Sequence, residues 1–295
     1  MTLPTVVSFY SGQPETSGGV RQITQGPLIF SSTTMQNLSF DNSRYKSPSG
    51  DVSLLSRMLP SLSFYIKFLA EINSSAAMAK RGAYDTETWQ GSSIRVLRAL
   101  ESSGVRLEVE GLDNIRAVEG PVIIIGNHLS VLETVVLPAL ILSCKPFTFV
   151  IKQSLLEVPV FKHVMAATDP IAVTRTNPRQ DLKTVLDEGL QRLSKGLSLV
   201  IFPQTTRAAF NPEQFSTIGV KLARKAAVPV IPLALLTDAW SNGKYAKDLG
   251  RIDPRLMVHF AFGEALYVDG KGSAEHQQVI DFIQHHLARW QQERQ

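Results

Sequence analysis

The stretch PVIIIGNHLSVLETVVL, residues 121–137, decides the fold. Its first half is a run of β-branched residues that ends at Gly126, and its second half has the apolar spacing of a helix. Similar β-rich runs occur elsewhere in the chain: RLEVEG, FTFVIK, PIAVTR, LSLVIFP, VPVIPLAL and MVHFAFG. Most of these runs are continuously apolar, which is typical of strands that are covered on both faces.

Segments of helical length and period separate several of these runs, near 130–143, 154–166, 178–195 and 215–226. Alternating strands and helices indicate an α/β fold. We therefore predict a mainly parallel, roughly seven-stranded sheet with helices on both faces. In such sheets, ligands bind beyond the carboxyl ends of the strands.

The chain divides by composition into three parts. Residues 1–50 are rich in Ser, Thr, Gly, Gln and Asn without a sustained period, and we predict that they are largely unstructured. Residues 51–104 carry two stretches with helical spacing, which predicts a helical hairpin ahead of an α/β domain at 105–295. The hairpin either packs on that domain or rests its aliphatic face in a lipid interface.

Composition limits the function classes. The formal net charge of +4 suits a phosphate-rich partner such as an anionic membrane, a phospholipid, coenzyme A or nucleic acid. The single cysteine, Cys144, excludes an intrachain disulfide and a cysteine-based zinc site, and we interpret it as a core thiol. We predict neither a transmembrane helix nor a secretory signal, and we expect the protein on the cytoplasmic face of the inner membrane, at its surface.

The first chemical constellation is GNHLSVLETVVL, residues 126–137, where a strand end delivers His128. Glu133 follows five residues later, and a carboxylate beside an imidazole can stabilise the imidazolium that forms when His takes a proton. That chemistry would activate a hydroxyl nucleophile. Alternatively, Ser130 and Glu133 have the S-x-x-E spacing of a capping box, in which Glu133 would bond the backbone of Ser130. From these residues alone both roles remain open.

The second constellation is FPQTTRAAF, residues 202–210, directly after the buried run LSLVI. The Thr205 and Thr206 hydroxyls and the Arg207 guanidinium would suit a phosphate ester at a strand end. The strand PIAVTR would deliver Arg175 to the same rim. A turn with solvated arginines is the alternative at both places.

Together with AAVPVIPLAL, these blocks resemble the glycerolipid acyltransferase family, specifically its 1-acylglycerol-3-phosphate acyltransferases, over roughly residues 105–265. The resemblance implies that His128 is the general base and that Glu133 orients it. It further implies that Arg175 and Arg207 bind the acceptor phosphate, with Gln204, Thr205 and Thr206 beside it.

Three departures from the family pattern concern the site. Glu133 stands where the family usually has Asp, which keeps the charge and adds a methylene group. Gln204-Thr205 replaces Glu-Gly, which bears on the identity of the acceptor. Lys162 and Asp169 stand where the family commonly has Gly, and we expect them to reshape that side of the pocket.

The resemblance implies acyl transfer from acyl-CoA or acyl carrier protein to a lysophospholipid hydroxyl, with lysophosphatidic acid as the favoured acceptor. We expect neither a cofactor nor a metal, because a thioester is already activated. The alternatives are a non-catalytic phospholipid-binding relative and an acyltransferase for another acceptor. Nucleic-acid binding would rest only on the charge balance and on Lys221, Arg224 and Lys225, which share a helical face, and we do not expect it.

Overall fold

The sheet contains the seven β-rich runs and, among the described residues, one further strand. The computed structural model describes residue 38 and residues 44–159, 161–204, 206–244 and 247–294, and the elements below belong to one compact unit, Asn37–Gln295. The strands are β1 (Tyr45–Lys46), β2 (Arg106–Glu110), β3 (Ile123–Gly126), β4 (Phe147–Lys152), β5 (Ile171–Val173), β6 (Ser198–Ile201), β7 (Val230–Leu236) and β8 (Met257–Phe262). Their order in the sheet is β1-β2-β8-β7-β3-β6-β4-β5.

Strands β7, β3, β6, β4 and β5 are neighbours that run parallel to one another. Strand β8 runs antiparallel to β7, and β2 is parallel to β8. The carboxyl ends of the five parallel strands therefore meet at one edge of the sheet, where ligands bind in such folds. The prediction of an α/β fold with a mainly parallel sheet is confirmed.

Helices cover both faces of the sheet. They are α1 (Leu54–Met58), α2 (Pro60–Lys80), α3 (Thr86–Ser102), α4 (Leu112–Arg116), α5 (Leu132–Ile141), α6 (Phe161–Ala167), α7 (Pro178–Ser194), α8 (Ile218–Ala226) and α9 (Ser273–Glu293), with 3₁₀ turns at Gln153–Leu156 and Pro212–Gln214. Along β3, Ile124 faces the core under α3 and α5, whereas Ile123 and Ile125 face the core under α7, α8 and α9. This alternation explains why the strand is apolar at every position.

Strand β1 corrects one part of the prediction, because Tyr45 and Lys46 lie in the segment that we expected to be unstructured. The strand pairs antiparallel with β2, and the Tyr45 side chain is buried with its hydroxyl bonded to Glu101. Two residues are too few to produce a period in the sequence, so only the pairing reveals the strand. Residues 1–37 and 39–43 of that segment lie outside the described residues.

Helices α2 and α3 form the predicted hairpin, and a two-pronged ion pair from Arg95 to Glu71 joins them at 2.7 and 2.9 Å. On the inward face of α2, Phe64 and Phe68 pack edge-to-face against the fully buried Trp240 of the α/β domain. Hairpin and domain therefore share one hydrophobic core.

The residues that supplied the helical period of the first stretch lie mostly on the opposite, outward face. The exposed side chains of this face are Leu54, Leu55, Met58, Leu59, Leu62, Ile66 and Leu69. We call this set the outer apolar face. None of the described helices has both the length and the apolarity that are needed to cross a membrane.

The single cysteine packs against the hydrophobic core, in agreement with its interpretation as a core thiol. Cys144 is half-buried against the core that lies under α3 and α5. Burial raises the pKa of its thiol above the ordinary value. The thiol is therefore kept in its unreactive protonated form near neutral pH.

Candidate active site

The loops that follow β3, β5 and β6 bring three of the predicted site residues to one cavity. His128 lies two residues beyond β3, Arg175 two residues beyond β5, and Arg207 in the loop after β6. All three line a cavity of about 220 Å³ at the carboxyl edge of the parallel strands. The sheet topology thus assembles residues that are up to 79 positions apart in the sequence, from 128 to 207.

His128 is paired with Glu133. The Nδ1 atom of His128 lies 2.9 Å from Oε1 of Glu133, whose side chain is fully buried. An ionised carboxylate can only accept hydrogen bonds, so Nδ1 carries the hydrogen and Nε2 is left as the basic atom. The extra methylene of Glu, compared with the Asp of the family pattern, therefore does not prevent the pairing.

Four further donors surround the Glu133 carboxylate. Oε1 accepts bonds from the backbone N–H groups of Leu129 (2.7 Å) and Ser130 (2.8 Å). Oε2 accepts bonds from the hydroxyls of Ser130 (3.0 Å) and Thr237 (2.6 Å). The capping contact and the pairing with His128 thus occur together on one carboxylate, so the two predicted roles do not exclude each other.

The charge of Glu133 is stabilised in spite of its burial. Burial alone would raise its pKa, but the hydrogen bond from His128 and the attraction between the carboxylate and a protonated imidazole, with bonds from Thr237 and the Ser130 backbone, outweigh that effect. The pKa of Glu133 is therefore lowered from its ordinary value. A carboxylate that stays ionised can stabilise an imidazolium beside it.

The loop after β6 supports His128 from the other side. The ring of Phe202 stacks on the imidazole, with ring centroids 4.6 Å apart and an angle of 8° between the planes. Gln204 accepts a bond from the backbone N–H of His128 at 2.9 Å, and the N–H of Ala208 donates to the His128 carbonyl at 3.1 Å. Gln204 is buried and does not line the cavity, so the structure places it as a brace between two loops.

The two arginines form the cationic end of the cavity. Nη1 of Arg207 lies 2.6 Å from Oδ1 of Asp248. Arg175 has a left-handed backbone with φ of 62°, and its N–H donates to Asp181 at 2.7 Å. Burial, opposed by the charge of Asp181 and reinforced by that of Arg207, lowers the pKa of Arg175. The two cations are therefore close enough to affect each other, as a shared anionic ligand would require.

Of the remaining predicted residues, those that the structure describes lie away from the cavity wall. Thr206 is exposed and does not line the cavity, and Thr205 lies outside the described residues. Lys162 and Asp169 also do not line it: Lys162 is exposed on α6, and Asp169 has a left-handed φ of 48° and pairs with Arg192. The expectation that these two residues reshape the pocket finds no direct contact in this geometry.

The rest of the cavity is apolar. Beyond the cationic end, its wall consists mainly of aliphatic and aromatic side chains from α5, β4, the 3₁₀ turn after it and α6: Val131, Val135, Phe149, Ile151, Leu155, Phe161 and Met165. Lys152 adds a third cationic side chain to Arg175 and Arg207. A site that joins His128, these cations and an apolar wall suits a ligand with both a charged group and a hydrocarbon part.

Comparison with known proteins identifies the family. A family model described as Acyltransferase matches residues 106–236. The 1-acyl-sn-glycerol-3-phosphate acyltransferase of Pseudomonas aeruginosa is 32% identical over 194 residues, which cover 65% of this chain and 70% of that protein. The chain belongs to the 1-acylglycerol-3-phosphate acyltransferase-like family. It is an acyltransferase of phospholipid biosynthesis.

Two further relatives agree with this assignment. The chloroplastic 1-acyl-sn-glycerol-3-phosphate acyltransferase of Arabidopsis thaliana is 27% identical over 132 residues, which cover 44% of this acyltransferase and 36% of the relative. The crystal structure of the 1-acyl-sn-glycerophosphate acyltransferase PlsC from Thermotoga maritima superposes with a TM-score of 0.59 at 18% identity. That match covers 80% of this chain and 97% of PlsC, and it supports the fold.

Three residues of the acyltransferase site were not predicted from its sequence. Thr237 directly follows β7 and bonds Glu133, and its position after a buried strand next to β3 was the available signal. Phe202 stacks on His128, and its position as an aromatic residue at a strand end, beside a polar loop, was the available signal. Asp248 lies 41 positions beyond Arg207, and no local pattern connects the two.

Proposed function

We propose that the protein transfers an acyl group from a thioester, acyl-CoA or acyl carrier protein, to the free hydroxyl of lysophosphatidic acid, giving phosphatidic acid. The observation that carries the proposal is a His128–Glu133 pair, 2.9 Å apart, in a cavity with two arginines and an apolar wall. The names of the Pseudomonas and Arabidopsis relatives specify 1-acyl-sn-glycerol 3-phosphate, another name for lysophosphatidic acid, as the acceptor.

In the proposed mechanism, Nε2 of His128 removes the proton from the acceptor hydroxyl while that oxygen attacks the thioester carbonyl. Glu133 stabilises the imidazolium that results. The carbon–sulfur bond then breaks, and the imidazolium returns its proton to the leaving thiolate, so that free thiol and acylated lipid are released. General-base catalysis of this kind contributes about 10² to 10⁴-fold. The thioester is already activated, so the proposal includes no acyl-enzyme and no cofactor.

The acceptor assignment rests on Arg207, with Arg175 beside it. A guanidinium makes charge-assisted, two-pronged bonds to a phosphomonoester, which a neutral acceptor would not need. The replacement of the family's Glu by Gln204 does not weaken this argument, because Gln204 is buried and bonds the His128 backbone instead of lining the cavity.

We further propose that the enzyme works at a membrane surface, on its cytoplasmic face. The outer apolar face exposes large side chains along α1 and α2, with Leu54 74% and Met58 71% exposed. A contiguous apolar face of this kind indicates an interaction site, and a helix that presents one can lie in the lipid interface. The proposed acceptor is a membrane lipid, and the proposed donors are cytoplasmic, so this location would give access to both.

The first experiment identifies the reaction. Purified protein is incubated with labelled acyl-CoA or acyl carrier protein and a panel of lysophospholipids, and the acylated product is identified. We expect phosphatidic acid to be the main product, with release of free thiol only when the acceptor is present. Binding of lysophospholipids without thiol release would instead establish a non-catalytic lipid-binding protein.

The second experiment tests acceptor recognition. Arg207→Ala should raise the KM for lysophosphatidic acid by about 10- to 150-fold, because a hydrogen bond to a charged group contributes about 1.5–3 kcal/mol. The KM for the donor should stay nearly constant, and Arg207→Lys should rescue only part of the loss. Arg224→Ala, which removes an exposed Arg outside the cavity, is the matched control. A defect confined to the donor would place Arg207 at the coenzyme A phosphates.

A further inference from the structure

A carboxylate of the protein itself, that of Asp248, lies at the cationic end of the cavity. Asp248 is the one carboxylate among the described residues that line the cavity, and it pairs with Arg207 at 2.6 Å. A phosphate that binds Arg207 would use the same guanidinium. Substrate phosphate and Asp248 therefore compete for one partner, and like charge would disfavour holding both there.

The two partners of this ion pair differ in exposure. The Arg207 side chain is 17% exposed, whereas that of Asp248 is 48% exposed. A half-exposed carboxylate can regain water when it leaves its partner, so the separation costs little. Arg207 would lose that compensation, because it lies deeper in the cavity wall. The pair is therefore suited to exchange one anion for another at Arg207.

The carboxylate is placed by the fold. Two residues after Asp248, the carbonyl of Gly250 accepts a bond from the Tyr65 hydroxyl at 2.5 Å. The N–H of Ile252 donates to the Ser61 hydroxyl at 3.0 Å. Both partners are on α2, so this helix anchors the segment that brings Asp248 to Arg207.

We propose that Asp248 is an internal competitor for Arg207, which holds the guanidinium in the free enzyme and yields it to a phosphomonoester. A phosphomonoester carries up to two negative charges and three acceptor oxygens, so it can displace a single carboxylate. A neutral acceptor lipid cannot, so its binding does not depend on this exchange, and the competition affects only the phosphorylated acceptor. This inference rests on the proposed function, namely recognition of the acceptor phosphate by Arg207.

The test is Asp248→Asn, which keeps the shape of the side chain and removes its charge. We expect the KM for lysophosphatidic acid and the inhibition constant of glycerol 3-phosphate to fall by about two- to tenfold. The KM for the donor and the rate with an uncharged monoacylglycerol should not change. Asp187→Asn removes an exposed carboxylate of α7 that does not line the cavity, and it should leave all four quantities unchanged.

The direction of the change separates the competing roles. If Asp248 instead positions Arg207 for the phosphate, the same substitution raises the KM for lysophosphatidic acid, and the inference is wrong. Equal KM values in wild type and variant also overturn it. In an Arg207→Ala background the effect of Asp248→Asn should shrink, because there is no guanidinium to release; an undiminished effect would contradict the competition.

The failure of this inference is distinguishable from the failure of the proposed function. A wild-type enzyme that does not acylate lysophosphatidic acid would remove both. A wild-type enzyme that acylates it and depends on Arg207, but does not respond to Asp248→Asn, would remove only the role of Asp248.

Discussion

His128 is held by a carboxylate, a stacked ring and two backbone hydrogen bonds, so its imidazole can be removed without dismantling the loop. Glu133 would keep its four other donors, so its buried charge would remain hydrogen-bonded. We expect His128→Ala to lower the acyl-transfer rate by about 10² to 10⁴-fold, with cooperative unfolding retained. Single-turnover kinetics and thermal denaturation measure the two effects. Loss of the cooperative transition would show that the residue is mainly structural.

Glu133 has a structural role and a proposed chemical role, and Glu133→Gln separates them. The amide oxygen can still accept the N–H groups of Leu129 and Ser130, while the amide nitrogen can donate to the Thr237 hydroxyl. We expect a loss of about 1–3 kcal/mol in unfolding free energy and a marked fall in turnover, because the imidazolium loses its counter-charge. Urea denaturation and steady-state kinetics test both. Unchanged turnover with lower stability would leave only the capping role.

The lowered pKa of Glu133 gives this comparison a defined pH dependence. A carboxyl group whose folded pKa is lowered adds stability that is fully present above its unfolded pKa, which is about 4.3, and is lost as the pH falls through the folded value. The part of the stability difference between wild type and Glu133→Gln that comes from the carboxylate charge should therefore be lost as the pH falls below about 4. A difference that persists undiminished well below about pH 4 would contradict the assignment.

At the scale of single elements, α2 has two apolar faces with different expected roles. Leu62→Asp combined with Ile66→Asp changes the outer apolar face, where the two side chains are 52% and 62% exposed. Since burial of a Leu or Ile contributes about 1.5–3 kcal/mol, we expect binding to anionic vesicles to weaken at least about tenfold with little change in stability. Vesicle co-sedimentation measures the binding. Tyr267→Asp, at another exposed large side chain, is the matched control, and equal binding by all three proteins would refute the membrane role.

The inner face of α2 packs into the core of the α/β domain, so a change there should affect the stability of the whole molecule. Phe64 is fully buried, and its ring centroid lies 4.7 Å from that of Trp240 in the α/β domain. Because the hairpin and the domain share a core, Phe64→Ala should lower the unfolding free energy of the entire chain by about 3–5 kcal/mol in a single transition. Denaturation followed by circular dichroism and by tryptophan fluorescence tests this. Two separate transitions would mean that the hairpin unfolds independently.

Much of this architecture was predictable, for reasons that particular residues make clear. In the run at 121–137, the first residues are apolar at every position, and the apolar residues after about 130 recur with helical spacing. Continuous apolarity is typical of a buried parallel strand, and the later spacing is typical of a helix that follows it. The strand ends also placed His128, Arg175 and Arg207 at one edge in advance. In contrast, β1 was missed because two residues carry no period, and its position depends on a distant partner strand.

The period of α2 was visible, but which of its faces meets the core was not. Leu62 and Ile66 are as apolar as Phe64 and Phe68, and only the position of Trp240 determines which pair is buried. The same limit applies to Asp248, whose pairing with Arg207 depends on a loop anchored to α2. Local sequence patterns report local geometry, so contacts between distant segments escape them.

The position of the Glu133 carboxylate also bears on how the base is arranged. The backbone N–H groups of Leu129 and Ser130 and the His128 ring all bond the same Glu133 oxygen. The tautomer of His128 is therefore fixed by groups of the protein itself. In the proposed mechanism, preorganisation of this kind means that substrate binding energy is not needed to arrange His128 and Glu133 and remains available to bring hydroxyl and thioester into contact.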